Sequence, residues 1–264
     1  MRIGIIGCGF VGSAIAHAHR HDEVIINDPK FPDSEPLSSF NNCDAIFICV
    51  PSPSKENGTC DTSILEDTLK NLLLVNINRP IPIISKVTAP PEEYARLQKI
   101  YPCLVHSPEF LTAKNAITEY KNAKWIIVGG DEEYCKPAAE IILSGIAGMR
   151  RDKIMITDIK TAAFYKYLMN SYLATKVTFM NDFYELAVAE GVSWDQVKQL
   201  SRLDDRIGKT HWDVPGPDGQ YGWGGYCFPK DMAAIIMEAI DQQLDFELLQ
   251  RVETINKKHR KKND

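Results

Sequence analysis

Hydrophobic positions near the N-terminus come first as a short β-branched run. Ile3 to Ile6 predicts a strand, Ser13 to His19 a helix, and Val24 to Asn27 a second strand. Ala45 to Val50, Ile81 to Ser85, Cys103 to His106 and Trp125 to Val128 are further apolar runs of strand length, the last closing the series. Between them, leucines 65, 69, 72 and 73 recur at helical spacing from a cap at Asp61-Thr62-Ser63 to about Val75, and Pro91 opens a helix through Ile100. Strands alternating with helices over residues 1–152 predict a parallel sheet wound on both sides. Beyond Arg150-Arg151-Asp152-Lys153 the pattern changes. Ala162, Tyr165, Met169, Leu173 and Val177 keep helical spacing, and nothing breaks it between Asp158 and Gly191. Shorter helices are expected from Trp194 to Leu200, after Asp231, and from Phe246 onward, so residues 153–264 form an all-α domain with a long central helix.

Two turns in this pattern carry candidate chemistry. The first strand runs into Gly7-Cys8-Gly9-Phe10-Val11-Gly12 and then a helix. In that context the first glycine permits a tight turn, the second lets backbone approach a pyrophosphate, and the third lets helix pack on strand. Asp28 ends the second strand, where a carboxylate accepts hydrogen bonds from ribose hydroxyls and repels a 2′-phosphate, so the cofactor is expected to be NAD. Lys30, two residues on, is the one nearby base that could meet a phosphate. Val50-Pro51-Ser52-Pro53 follows the third strand at the edge where such sheets bind ligands.

The second turn is Gly222-Trp223-Gly224-Gly225-Tyr226-Cys227-Phe228-Pro229-Lys230-Asp231. If Pro229 lies in the first turn of a helix, Cys227 sits at its N-terminus, where the helix dipole and unpaired amides favour a thiolate. A lone cysteine is more often a small buried hydrophobe. The glycine-rich approach, the lysine and the aspartate favour a nucleophile here. Lys166 and Asn170, four apart on the long helix, project from one face. The loop from Thr210 to Gly222, rich in Gly, Pro and aromatics, suits a cover over a site.

Composition narrows the class. The 264 residues are 44 % hydrophobic and 25 % charged, ordinary for a globular protein. No run approaches the length of a membrane span, and the N-terminal apolar run is too short for a signal peptide. Seven cysteines without a C-x-x-C pair indicate neither a disulfide framework nor a zinc site, so no metal is expected and a reducing cytoplasm is. The net charge of −5 includes a basic end at Lys257, Lys258, Arg260, Lys261 and Lys262. The rest of the chain is therefore more acidic than the whole, which argues against nucleic acid as partner.

Taken together, Gly7-x-Gly9-Phe10-Val11-Gly12, Val50-Pro51-Ser52-Pro53, Ser107-Pro108-Glu109-Phe110-Leu111, Lys166-x-x-x-Asn170 with Leu173-Ala174-x-Lys176, Asp204-x-Arg206-Ile207-Gly208 and the Cys227 turn resemble the UDP-glucose/GDP-mannose dehydrogenase family, in the family's order. The resemblance implies a Rossmann-like NAD-binding domain, 1–152, and a central dimerisation domain, 153–264, built on the long helix and carrying the catalytic cysteine. It implies oxidation of the C6 hydroxyl of a nucleotide sugar such as UDP-glucose to the uronic acid, with two NAD per turnover and a thiohemiacetal and thioester on the cysteine. By position, Cys227, Lys166, Asn170, Asp231 and Glu109 would be catalytic. Gly7, Gly9, Phe10, Val11, Gly12, Asp28, Lys30, Val50, Pro51, Ser52, Ser85 and Lys86 would bind cofactor. Glu109, Phe110, Leu111, Lys166, Asn170, Arg206, Gly224 and Gly225 would bind substrate, Arg206 reaching that of the neighbouring subunit.

The chain also departs from the family. Ser85-Lys86-Val87-Thr88 stands where a Ser-Thr-Val-Pro turn is usual, Ala113 replaces a glutamate, and the loop from Arg206 to Cys227 is long. The resemblance implies a third, nucleotide-binding domain after these two, which these 264 residues are not expected to include. Two other readings therefore stand beside the first: a two-electron hydroxyacid-type dehydrogenase, or a non-catalytic NAD-binding dimer that needs a separate chain for the missing domain.

Overall fold

The computed structural model describes residues 1–75 and 80–262. Strands β1 (Arg2–Ile6), β2 (Glu23–Asn27), β3 (Ala45–Ile48), β4 (Ile83–Ser85), β5 (Leu104–His106), β6 (Ile126–Gly129) and β7 (Ile154–Thr157) form one sheet in the order β2-β1-β3-β4-β5-β6-β7. Helices α1 (Phe10–Ala18), α2 (Ser63–Leu73), α3 (Pro91–Ile100), α4 (Ala116–Lys121) and α5 (Glu132–Ser144) connect them. Then come α6 (Ile159–Ala189), α7 (Trp194–Ser201), α8 (Cys227–Asp241) and α9 (Glu247–Lys261).

Alternation along the strands explains the layers. On β3, Ala45 and Phe47 join Ile3, Ile5, Ile15 and Ile142 in one core, against α1 and α5. Ile46 and Ile48 join Leu65, Leu69, Tyr94 and Leu97 in the other, against α2 and α3. A period of two sends successive side chains to opposite faces, so both faces need helices. The expected doubly wound α/β architecture is what the chain adopts.

Two features of the sheet differ from the expectation. It is mixed, because β6 meets β5 antiparallel through His106 and Gly129. The connection between them carries only α4, a helix of 6 residues. Trp125–Val128 is also not the last strand, since β7 pairs parallel with β6. β7 escapes detection because it is a four-residue edge strand running almost directly into α6, with Met155 62 % exposed.

The chain divides into two compact units. The first is Met1–Pro53 with Cys60–Lys166; the second is Ser54–Thr59 with the chain from Tyr167 on. The division falls inside α6, later than residue 152, because Ile159 and Ala163 are buried in the core of the sheet. The second unit has its own apolar clusters, one around Met180, Trp194, Trp212 and Val214, the other around Ala174, Trp223, Met232 and Val252.

Candidate active site

In the first unit, Gly7 takes φ +88, a region that L side chains rarely adopt. A Cβ there would stand 2.8 Å from the carbonyl oxygen of Cys49. A Cβ on Gly12 would overlap the Gly7 carbonyl oxygen, so this glycine lets α1 close onto the turn. A Cβ on Gly9 would meet nothing within 4 Å, which leaves open space over the turn. Gly9 is also the N-cap of α1 and supplies no side-chain cap. The helix starts at Phe10, inside the motif and three residues before the expected Ser13, with Phe10 and Val11 in its first turn. Open space above uncapped amides at a helix N-terminus fits a pyrophosphate.

Asp28 closes this cradle. Its Oδ2 accepts from the Cys8 N–H at 2.6 Å and its Oδ1 from the Lys30 N–H at 2.8 Å. A carboxylate offers about four acceptor positions, so capacity for ribose hydroxyls remains. Lys30 contributes backbone here and its side chain is exposed. At the end of β3, Val50 is half-buried, Pro51 exposed, and Ser52 buried with its hydroxyl donating to Thr88 O at 2.7 Å. Ser85 and Lys86 are buried. The Ser85 hydroxyl bonds Tyr94 at 2.7 Å, and the Lys86 ammonium donates to Ser107 Oγ at 3.1 Å.

Lys166 and Glu109 lie together. The Lys166 ammonium donates to the Glu109 carbonyl at 2.5 Å, lies 3.6 Å from its carboxylate and 5.0 Å from the centre of the Phe110 ring. Glu109 Oε2 accepts from the half-buried Leu111 N–H at 2.6 Å, and Phe110 packs on Trp125. Ala113 is exposed.

In the second unit, Cys227 is the first residue of α8, the N-terminal position expected for it. The N-cap, Tyr226, supplies no side-chain cap, and Cys227 is half-buried. Lys230 and Asp231, three and four residues on, share its face of the helix. Asp231 is 1 % exposed; its Oδ2 accepts from Asn170 Nδ2 at 2.5 Å and its Oδ1 from Lys230 Nζ at 2.5 Å. Asn170 and Asp231 are thus joined, and Lys230 belongs to the group although only Asp231 was expected in it. Its place beside Asp231 was the available signal.

Arg206 stands apart, its side chain 89 % exposed and bonded to Asp204 of the same turn. That turn is held by Lys176, which donates to Ile207 O at 3.0 Å and Thr210 O at 2.5 Å and lies 4.8 Å from the Trp212 ring centre. Gly225 has φ +74. Gly224 packs on the Arg260 guanidinium, and Asn256 bonds both backbone groups of Trp223, at 2.7 and 2.9 Å. The roles of Lys176, Asn256 and Arg260 depend on contacts across 30 or more residues; Lys176 stands in a motif that does not reveal this contact, and Asn256 and Arg260 stand in none.

Among the described residues, no group of three or more His, Cys, Asp or Glu could hold a metal ion. No helix among them is long and apolar enough to cross a membrane.

Comparison with known proteins identifies the family of the chain. Residues 33–147 match the profile of the NAD binding domain of the UDP-glucose/GDP-mannose dehydrogenase family, and residues 160–258 that of its central domain. The glycine turn precedes the first match. A UDP-glucose 6-dehydrogenase of Rickettsia prowazekii is 30 % identical over 226 residues, 83 % of this chain and 50 % of the relative. A putative UDP-glucose 6-dehydrogenase of Bacillus subtilis is 29 % identical over 97 % of this chain and 67 % of its own length. The chain thus spans half the length of the first relative and two thirds of the second. A UDP-glucose dehydrogenase of Pyrobaculum islandicum shares the fold, with a TM-score of 0.82 at 22 % identity, over 97 % of this chain and 68 % of that one.

Proposed function

Because the chain belongs to the UDP-glucose/GDP-mannose dehydrogenase family, its two matched stretches being that family's NAD-binding and central domains, we propose that it oxidises the C6 hydroxyl of a UDP-glucose-like nucleotide sugar to the uronic acid. NAD, held by Gly7, Gly9, Gly12 and Asp28, supplies the hydride acceptor for each of two oxidations. The observation that carries the reading is the N-terminal position of Cys227 on α8, one turn before the buried Asn170–Asp231–Lys230 group.

The residues divide the chemistry as follows. Lys166 offers positive charge to the alkoxide that develops as the hydroxyl loses its proton, and Asn170, its amide fixed by Asp231, offers a hydrogen bond. The Cys227 thiolate, favoured at a helix N-terminus, adds to the carbonyl carbon of the aldehyde to give a thiohemiacetal. After the second oxidation the acyl group is a Cys227 thioester. Water then attacks the acyl carbon, its proton passes to Asp231 or Glu109, and the C–S bond breaks to restore the thiolate. Arg206, exposed on a turn held by Lys176, would contact the substrate of a second copy.

The same reading makes the protein a homodimer through α6. Phe164, Leu168, Tyr172, Phe179, Phe183 and Leu186 recur at helical spacing along it, each at least half exposed. An unpartnered apolar face of this length favours association.

Cys227→Ser tests the thioester route. The variant should still form aldehyde and NADH in the first oxidation and lose carboxylate production, since serine lacks a readily ionised nucleophile. Carboxylate formed at close to the wild-type rate contradicts the proposal.

A further inference from the structure

Lys86 is a buried charge to which these steps give no part. It follows β4 and is 7 % exposed, and its backbone N–H donates to Ile48 O at 2.9 Å. The groups facing it are the Cys49 thiol at the end of β3, His106 on β5, Glu109 beyond β5, and Lys166 on α6. Burial pushes Cys49 up to about 12 and His106 down to about 3, so both are neutral across the working range. His106 Nδ1 lies 3.0 Å from Ser85 O, which fixes the proton of the neutral ring there. The charges acting on Lys86 are therefore Glu109, which attracts its proton, and Lys166, which repels it.

The Ser107–Leu111 segment has no helix or strand of its own. Its position is set by separate anchors: Ser107 N–H to Ser85 O at 2.9 Å, Ser107 Oγ to Lys86, and the Glu109 carbonyl to Lys166. We propose that Lys86 is a positioning residue for Glu109, holding this segment through the Ser107 hydroxyl while Lys166 holds it through the Glu109 carbonyl. The inference rests on the reading of Glu109 as a group of the oxidation site. A bond from an ammonium is about twice as strong as one from a neutral amine. Burial brings Lys86 down to about 8, so the anchor weakens, and a positive charge leaves the neighbourhood of Glu109, just above neutral pH.

The full chain, with lysine labelled at Cε, tests this by NMR without any ligand. The Lys86 signal, identified by its loss in Lys86→Met, should titrate near pH 8. Its midpoint should fall in Glu109→Gln and rise in Lys166→Met, each by roughly half a pH unit, a threefold change in proton affinity. The Leu111 amide, bonded to Glu109, should shift with the same midpoint and lose that transition in Lys86→Met. A Lys86 midpoint near the ordinary lysine value, or a Leu111 amide blind to it, overturns the inference. In NADH formation the wild type should show an alkaline decline centred near pH 8, absent in Lys86→Met and displaced upward by at least about one unit in Lys86→Arg. A decline unchanged in all three proteins also overturns it. If the wild type forms no NADH, the proposed function fails, and the ligand-free titrations still decide the anchoring.

Discussion

Replacing Asn256 by leucine, close to it in size, should cost the second unit far more than an ordinary helix substitution. Asn256 is 5 % exposed on α9, and its amide caps both backbone groups of Trp223: Oδ1 accepts from the N–H at 2.7 Å and Nδ2 donates to the C=O at 2.9 Å. Trp223 is itself 5 % exposed and donates from its indole to Thr178 Oγ1 at 2.9 Å, so water cannot simply take the place of the lost partner. Each orphaned backbone group costs about 1–3 kcal/mol, giving about 4 kcal/mol for the pair. At a urea slope of about 2 kcal/mol/M, the midpoint should fall by about 2 M. Urea unfolding followed by tryptophan fluorescence reads this directly, because Trp194, Trp212 and Trp223 lie in the second unit and Trp125 in the first. Asn256→Asp keeps an acceptor for the N–H and should lose roughly half as much. A loss below about 1 kcal/mol for Asn256→Leu would refute the view that this side chain holds the approach to Cys227.

Three further outcomes follow from the geometry. NAD should bind more tightly than NADP, and Asp28→Ala should narrow the preference by about tenfold as the repulsion of a 2′-phosphate is removed; titration of both cofactors checks it. Lys86, lowered by burial from 10.5 to about 8, holds fewer protons folded than unfolded between these values. Stability should therefore rise through that window by up to about 3 kcal/mol, and the rise should vanish in Lys86→Met when unfolding is measured against pH. Phe179→Glu with Phe183→Glu should shift sedimentation at micromolar concentration from dimer to monomer, because both rings lie on the exposed face of α6.

Much of this was legible in the sequence because the signals are local. The turn from Gly7 to Gly12, the unbroken helical spacing from Asp158 to Gly191 and the placement of Cys227 at a helix start each depend on neighbours a few residues away. The sheet beyond β5 was not legible. β7 is four residues with a mixed burial pattern, and the direction of β6 is a pairing with a distant strand that its own residues do not encode. Side-chain direction at strand ends was also hidden: the side chains of Ser85 and Lys86 bond Tyr94 and Ser107. Asn256 and Lys176 became visible as supports once distant segments had been brought together.

The count of NADH formed per nucleotide sugar consumed tests the central claim most directly. Two oxidations joined by a Cys227 thioester predict two NADH and one carboxylate for each sugar over complete turnovers. One NADH per sugar, with aldehyde or ketone as the final product, would contradict the thioester account and leave a simple two-electron dehydrogenase.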